Sequence, residues 1–471
     1  ALGVGVAYWV NRALLVLAPN EQARLALSPA PDLRTLAFSL LVSGAAALVF
    51  GLLPAFQATR TDLASVMKEQ AGSVAGGHGA RLRKTLVVVQ VTLSLLLLIG
   101  SGLFIQSLQR LRMVNPGFRS TNLVRFKLDP MLSGYGSDRS REFYRQLQQR
   151  LEGLPGVESS ALALVPIMEG SEWDSTVTVE GYRARDGEDM NPHFNAVSPH
   201  YFKTLGIPVK LGREFDERDR QGAKKTILVN ETFAKRYFQD RNPLGYHIAF
   251  GAGPNVKPDM EIIGVVADAK YEDLRKETPR QVFVAAAQME RQSGMTAYVR
   301  TSLPSEKMFA AVRAELRSLD ASLPLYDMNT MEDQLDRSLA LERFVAYFAS
   351  GFGLLAALLA VIGLYGVTAY SVARRGREIG IRMALGAEAH RVVRIVLREV
   401  VLLAGLGIVI ALPAAWWLTQ LVRSLLYGIE PRDPATLALS AAGLLAVAFL
   451  AGAIPALKAS RLDPVKVLRY E

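Results

Sequence analysis

The residues of this chain that could do chemistry are few, and they do not form a catalytic or metal-binding set. His193, His200 and His247 lie among aromatic and proline residues of a long central region, which is typical of ordinary surface or core histidines. Acidic residues alternate with arginines along residues 213–220, and this pattern favours a solvated loop over an acid/base pair or a cation site. There is no cysteine, so disulfides and thiolate ligands are excluded. We predict no catalytic, cofactor-binding or metal-binding residue.

Known sequence motifs for nucleotide binding, zinc binding and nucleophilic catalysis are also missing from the sequence. It contains no Walker A pattern, no HExxH zinc motif and no GxSxG nucleophile elbow. Residues 351–356 match the pattern GxGxxA, but they lie inside an apolar run rather than after a strand, so we expect no dinucleotide site there. Ala349, Gly353 and Ala357 instead share one helix face at four-residue spacing, which favours close packing against another helix.

Five runs without Asp, Glu, Lys or Arg are each long enough to cross a membrane as a helix. A helix rises about 1.5 Å per residue and needs roughly 20 residues to cross about 30 Å of hydrocarbon. The runs are residues 35–59, 85–109, 344–373, 400–422 and 434–457. Because they carry no ionisable group at mid-depth, we expect no polar path through them, and any work should be mechanical and delivered outside the bilayer.

The net charge of +10 is concentrated near the ends of these runs. Residues 110–343 contain 33 basic and 33 acidic residues, whereas residues 60–84, 374–399 and 458–471 together contain 16 basic and 7 acidic residues. Basic residues close to membrane spans stay cytoplasmic and attract anionic lipids, so we place the three basic segments inside and residues 110–343 outside. The same distribution argues against nucleic-acid binding.

An internal repeat indicates that the chain contains parts of two related modules. Residues 32–68 align with residues 433–469 without a gap, and 14 of the 37 positions are identical. We predict that residues 1–68 are the tail of a first module with two spans, the first one truncated, and that the Gly-rich residues 69–84 form a cytoplasmic linker. The two modules would pair as a pseudo-dimer, or the chain would form a homodimer.

The external region, residues 110–343, is large enough for a folded domain with its own core. Strand–helix patterns at about 121–165 and 295–330 bracket an insert at about 166–294, which reads mostly as strands and turns. These patterns predict an α+β domain.

A helical pattern over residues 332–343 runs into the span at 344, which predicts one continuous stalk helix between this domain and the membrane. The predicted fold is therefore an α-helical integral membrane protein with a large external α+β domain. It combines a four-span module, whose last part is residues 344–471, with the tail of a preceding module.

Two basic stretches border the spans of the second module, residues 377–387 (REIGIRMALGA) and residues 455–465 (PALKASRLDPV). With one large external domain after the first span, they resemble the FtsX-like, MacB-type permeases of ABC transporter systems. The external region is similar to the periplasmic core domain of that family at residues 195–208, 212–215 and 229–234. Two modules in one polypeptide resemble the duplicated orphan permeases of the same superfamily.

The resemblance implies a permease without its own ATPase and without a bound cofactor, with ATP held by a partner subunit. In such systems the elbow, defined here as residues 374–387, contacts the ATPase, and nucleotide-driven closure moves the stalk and the external domain by mechanotransmission. The residues implied in this contact are Arg374, Arg375, Arg377, Glu378, Ile379, Arg382, Leu385 and Gly386. The implied location is the bacterial inner membrane, with the large domain in the periplasm.

Two functional classes remain open from the sequence. The first is an efflux or extraction permease for a periplasmic substrate, which could also engage a periplasmic adaptor. The second is a transmembrane signalling scaffold whose external domain regulates a cell-envelope enzyme. The size of the external domain favours transport.

Overall fold

Four long helices in the described part of the chain are apolar enough to cross a membrane. The computed structural model describes residues 34, 37–45, 47–48, 77–239, 241–253, 255–292, 294–385, 388–429 and 433–461. Most of the predicted first module and most of the predicted linker lie outside these residues, and the described residues of the first module, 34, 37–45 and 47–48, are helical. The chain divides into two compact units, of which Met113–Leu339 is one and Ala1–Arg112 with Ala340–Glu471 is the other. We name them the sheet domain and the helical unit.

The helices of the described residues are, in chain order, α1 (Gly77–Arg112), α2 (Ser137–Glu152), α3 (Tyr201–Leu205), α4 (Glu231–Phe238), α5 (Ser305–Leu319), α6 (Met331–Ser338), α7 (Ala340–Arg374), α8 (Gly376–Ala384), α9 (Ala389–Leu421) and α10 (Pro434–Ser460). The strands are β1 (Leu123–Leu128), β2 (Val157–Ala163), β3 (Val177–Val179), β4 (His193–Val197), β5 (Val209–Gly212), β6 (Thr226–Asn230), β7 (His247–Phe250), β8 (Met260–Val266), β9 (Gln281–Ala285), β10 (Met295–Thr301) and β11 (Tyr326–Thr330).

In the helical unit, α1 packs against α7, α9 and α10. Its buried face repeats every four residues, through Val87, Val91, Leu95, Ile99 and Leu103. Four-residue spacing places side chains on one helix face, so this stripe becomes the centre of the helical core. A Cβ atom added to Gly407 on α9 would lie 2.6 Å from Val91 Cγ1, which shows how closely these two helices approach.

The small residues of α7 also mediate close packing. Gly353 is buried, and a Cβ atom added there would lie 3.4 Å from Leu98 of α1, whereas Ala349 and Ala357 are only partly buried. The buried small residues of α7 are Ala346, Gly353 and Ala360. The buried glycine and alanine residues of α7 thus repeat every seven residues, whereas the predicted stripe repeats every four and shares only Gly353 with them.

The sheet domain is built on one mixed sheet with the strand order β11-β1-β10-β2-β4-β9-β6-β8-β7-β3, with β5 paired to β8. Strand pairs β4–β9 and β6–β8 are parallel, and the remaining pairs are antiparallel. Helices α2, α4 and α5 bury aromatic and aliphatic side chains against it, among them Phe143, Phe233 and Val312. The β2–β4 pairing consists of Ala163 opposite Val197, so the outer strands join the insert strands through a narrow junction.

Two helix boundaries differ from the sequence prediction. The predicted continuous stalk over 332–343 is wrong, because α6 ends at Ser338 and α7 begins at Ala340. Leu339 between them is buried and its backbone leaves the helical region, with φ −96° and ψ 10°. Helix α9 begins at Ala389, well before the uncharged run at 400–422.

Candidate functional site

The elbow folds into the short helix α8, which has an inner and an outer face. On the inner face, Ile379 is 8% exposed and packs with Val392 and Ala459. On the outer face, Leu385 is 82% exposed and Ile381 is 43% exposed. The inner contacts hold α8 against α9 and α10, and they leave apolar side chains directed away from the helical unit.

A buried carboxylate ties the base of the elbow to two further helices. Glu399 of α9 lies 2.5 Å from Lys84 of α1 and 3.6 Å from Arg375, and it accepts a hydrogen bond from Ser371 of α7 at 3.4 Å. Its side chain is 20% exposed. Opposite charges in such a partly desolvated setting attract more strongly than at a free surface. The start of the elbow is therefore fixed to α1, α7 and α9 at one point.

The described residues of the elbow form an exposed surface with only a small cavity beneath it. The cavity beneath α8 has a volume of only about 50 Å³ and is lined in part by Thr368, Ile395 and Val396. Ligand pockets are typically about 300–1,000 Å³, so this cavity is too small for a nucleotide. A salt bridge of 2.6 Å between Glu378 and Arg382 lies on the exposed side of α8.

The structure places the residues implied in the ATPase contact in three different settings. Arg374, Arg375, Glu378, Arg382 and Leu385 are exposed. Ile379 is buried and anchors α8 in this conformation, so it does not face outward. It lies four residues before Met383, and this spacing places both side chains on the inner face. The Arg377 side chain and Gly386 lie outside the described residues.

The sequence prediction omitted two exposed residues of the elbow, Ile381 and Ala384. Ile381 lies on the outer face, and its exposure could have been found from its two-residue offset from Ile379, which places the two side chains on different sides of a helix.

A second cluster fastens α6 to the sheet domain. Arg125 of β1 is completely buried and forms ion pairs with Asp327 of β11, at 3.0 Å, and with Glu169. Asp327 also binds Arg337 of α6 at 3.2 Å. In addition, the Gln334 side chain of α6 donates a buried hydrogen bond of 2.8 Å to the Met168 carbonyl. Any displacement of α6 therefore acts directly on β1, β11 and the loop after β2.

A polar cleft of about 600 Å³ opens in the sheet domain between α2 and the loop around Asp219. Arg141 crosses it and donates a hydrogen bond of 2.7 Å to Gln221. The carboxylates that line it are Asp138, Glu142, Glu152, Asp216, Glu217 and Asp219, against the cations Arg141, Arg145 and Arg220. The cleft thus has the size of a small-molecule site and an excess of negative charge.

Several of the cleft carboxylates are held ionised, and Glu142 and Asp219 are two of them. Hydrogen bonds from Arg145, and then from Gln146, lower the pKa of Glu142 to about 2. For Asp219, burial raises the pKa, but hydrogen bonds from Arg213, the Asp216 amide and Thr226 outweigh it, and the pKa is lower than usual. Both groups are therefore negatively charged at neutral pH and attract cations.

One group of side chains in the described residues brings together potential metal ligands. Glu172, His193 and Glu272 place one ligand atom each within 4.8 Å of the others. The sequence prediction of no metal-binding residue treated His193 as an ordinary histidine, since Glu172 and Glu272 are distant from it in sequence. No local spacing pattern could have revealed the group.

Both units match known sequence families. Residues 85–319 match the family described as MacB-like periplasmic core domain, and residues 350–464 match the family described as FtsX-like permease C-terminal. Together the two matches cover well over half of the chain. The chain therefore belongs to the FtsX-like, MacB-type family of ABC transporter permeases, and its sheet domain is a periplasmic core domain of that family.

Several curated relatives share this arrangement at low identity. The macrolide export ATP-binding/permease protein MacB of Vibrio parahaemolyticus is 24% identical over 335 residues, covering 68% of this chain and 47% of that protein. The uncharacterized ABC transporter permease YknZ of Bacillus subtilis is 24% identical over 314 residues, covering 64% of this chain and 77% of that protein. The chain thus spans about half the length of the MacB protein it matches.

Among solved structures, the periplasmic region of MacB from Actinobacillus actinomycetemcomitans aligns with 48% of this chain and 95% of its own length. The sequence identity is 16% and the TM-score is 0.32.

Proposed function

We propose that this chain is the permease of an ABC system in which a separate ATPase subunit hydrolyses ATP and docks on the outer face of the elbow. The observation that carries the proposal is the exposure of Leu385 and Ile381 beside the Glu378–Arg382 salt bridge. The inner face of α8 packs on α9 and α10 and keeps this helix in position. Amphipathic helices with exposed apolar anchors bind well in grooves of partner proteins. Residues 1–471 contain no Walker A pattern, so the ATP-binding site of the proposed system lies outside them.

The proposed membrane is the bacterial inner membrane, with the elbow in the cytoplasm. The basic residues that surround the elbow support this orientation, since Lys and Arg near span ends stay cytoplasmic. The family of the sheet domain supports a periplasmic location for residues 113–339. Helix α7 is long enough to cross the bilayer between the two sides.

We propose that ATPase closure moves the elbow and that α7 transmits the movement to the periplasmic side by mechanotransmission. Support comes from fixed contacts at the two ends of the path. Glu399 joins α7, through Ser371 and Arg375, to α1 and α9. In the sheet domain, α6 is bonded through Arg337 and Gln334. Leu339, where the helix is interrupted, is the proposed hinge.

We propose efflux or extraction of a periplasmic substrate as the task of this movement. The cleft of about 600 Å³ supports it, because regulation of an envelope enzyme does not need a cavity of that size. Its excess of carboxylates favours cationic or amphipathic cationic substrates. A periplasmic adaptor, and pairing of two modules or two chains, would complete the system. A gene for an envelope hydrolase beside this one, without adaptor or channel genes, would favour signalling instead.

The docking proposal is tested by reversing one charge and removing one apolar anchor. We expect Arg382→Glu combined with Leu385→Ser to reduce co-purification with the ATPase encoded beside this gene by about 30-fold, as for interface residues worth about 2 kcal/mol. The ATPase activity of the purified complex should fall in parallel.

The matched control for this test is Arg145→Glu. Arg145 is 50% exposed and pairs with Glu142 within one helix at 2.6 Å, as Arg382, which is 51% exposed, pairs with Glu378. It belongs to the sheet domain, so its reversal should leave ATPase binding unchanged. Full retention of the ATPase by the elbow variant would contradict the proposed contact.

A further inference from the structure

We propose that Glu172, His193 and Glu272 form a binding site for a divalent transition-metal ion of the zinc class in the periplasmic domain. The three residues come from three separate segments. Glu172 lies in the loop between β2 and β3, His193 is the first residue of β4, and Glu272 follows β8. Imidazole nitrogen together with carboxylate oxygens is a ligand set that zinc prefers, whereas Mg²⁺ and Ca²⁺ prefer oxygen alone.

Backbone hydrogen bonds hold the three segments in a fixed arrangement. The Phe194 amide donates to the Trp173 carbonyl at 2.6 Å, which places the neighbours Glu172 and His193 side by side. The Met168 amide donates to the Tyr271 carbonyl at 2.6 Å, which ties the loop after β2 to the segment that carries Glu272. The main chain therefore holds the three ligand side chains close together before an ion binds.

The geometry of His193 and Glu272 fits two ligands of one ion. Nδ1 of His193 lies 3.3 Å from Oε1 of Glu272. Two ligands at about 2.0–2.1 Å from a tetrahedral zinc ion are themselves about 3.3–3.4 Å apart. Within the described residues, this Nδ1 atom is buried and has no hydrogen-bond partner. A buried nitrogen without a partner is costly, and a metal ion would satisfy it.

The other two histidines of the sheet domain, His200 and His247, differ from His193 in their contacts. His200 and His247 each lie 3.0 Å from one carboxylate, Glu152 and Glu180 respectively, and make hydrogen bonds with it. No third ligand joins either pair among the described residues. They are hydrogen-bonded histidine–carboxylate pairs, whereas Nδ1 of His193 makes a longer ion-pair contact of 3.3 Å with Glu272 and has a second carboxylate within reach.

Burial and charge also favour a cation at this point. The Glu272 side chain is 7% exposed, and Lys276 pairs with its Oε2 atom, which leaves Oε1 for the ion. Two carboxylates against the single charge of Lys276 leave the site net negative, and the exposed Glu172 provides the path by which the ion enters.

The ion would join the loop after β2 to the start of β4 and to the segment after β8. Three protein ligands leave a fourth position for water. The proposed role is to hold these three segments together.

The test uses the full chain in detergent, free of any affinity tag that binds metal, with zinc chloride as the probe and a chromophoric chelator as competitor. We expect one tightly bound zinc ion per chain and no competition by Mg²⁺. His193→Gln, which lacks an atom at the Nδ1 position, should weaken zinc binding by about 10-fold or more, since even residues that only support a ligand have effects of that size.

His247→Gln is the matched control, because it changes the same residue type beside a single glutamate in the same domain. It should bind zinc like the unchanged protein. Glu172→Gln alters an exposed residue, so the domain should unfold at the same temperature while zinc affinity falls. The proposal is overturned if the unchanged protein binds no zinc, or if His193→Gln and His247→Gln lose affinity equally.

Discussion

Replacing Gly407 with alanine should loosen the contact between α9, which follows the elbow, and α1, which precedes the periplasmic domain in the chain. A Cβ atom at this position would lie 2.6 Å from Val91 Cγ1, 2.9 Å from Val91 Cβ and 3.2 Å from the Val88 carbonyl oxygen. Carbon atoms in contact are normally about 3.5–4.0 Å apart. The helices must therefore separate by about 1 Å, because the valine branch at Cβ and the backbone oxygen cannot rotate away.

The loss of stability in Gly407→Ala follows from the contacts that this separation of the helices disturbs. Overpacking of a close-packed interface costs about 1–3 kcal/mol. The Thr92 hydroxyl donates to the Val88 carbonyl at 2.8 Å and shares its proton with the Gly407 carbonyl at 3.1 Å, so a shift of about 1 Å would remove only the longer contact, worth less than the roughly 0.6 kcal/mol of a hydrogen bond between membrane helices. Alanine has a higher helix propensity than glycine by about 1 kcal/mol in water, which offsets part of the loss.

Gly405→Ala, on the same helix, separates these effects. No atom lies within 4 Å of a Cβ placed at Gly405, so this variant gains the propensity without the clash. We expect Gly407→Ala to be less stable than Gly405→Ala by about 2–4 kcal/mol, since the propensity term cancels between the two. The assay is unfolding of the detergent-solubilised chain, followed by heat or by titration with a denaturing detergent. Equal stability of the two variants would refute the close approach of α9 and α1.

Two further predictions concern ion pairs of the periplasmic domain. Asp327→Asn leaves the buried Arg125 with Glu169 alone and removes the partner of Arg337. Asp327→Asn should lower the free energy of unfolding by about 1–3 kcal/mol, less than the 3–5 kcal/mol expected for a fully isolated buried charge. Hydrogen exchange of the backbone amides in α6 should also accelerate. The control Glu332→Gln, at an exposed residue, should change neither the stability nor the exchange rate. Asp219→Asn should destabilise the domain at neutral pH. The folded pKa of Asp219 lies below its unfolded value of about 3.9, so its contribution is present above that pH and is lost as the pH falls below it. In thermal unfolding, the gap between the two proteins should narrow below about pH 4, and a gap that is constant with pH would contradict the assignment.

Local signals were sufficient for many elements of the fold. Helix α4 is an example, because the Asn230 side chain caps it by accepting from the Phe233 amide at 3.0 Å. The short strand β7 follows the turn at Gly245. A cap, an apolar period and flanking turns are properties of neighbouring residues, so they can be read without knowing the tertiary structure.

Features that depend on distant residues could not be predicted. The order of the strands, including the junction of Ala163 with Val197, pairs segments that no local pattern connects. The interruption at Leu339 lies inside a continuous helical pattern, and it coincides with the boundary between the two units. His193 acquires its two carboxylate neighbours in the same way, through strand pairing and loop contacts.

The boundary of α9 shows why charge is a poor guide to where a helix begins. A run without charged residues marks the segment that can lie in the hydrocarbon of the membrane. The helix itself can extend beyond that segment, because it needs only one apolar face to pack against its neighbours. Val392, Val396 and Val400 are buried on one side of α9, while Arg391, Arg394 and Arg398 are exposed. From Ala389 to the start of the uncharged run at residue 400, the helix extends about 16 Å at 1.5 Å per residue. If the ATPase docks on the elbow as proposed, it meets this arginine-bearing face beside Leu385 as well. Its own surface should then be acidic around an apolar groove, and rising salt should weaken the complex mainly by slowing association.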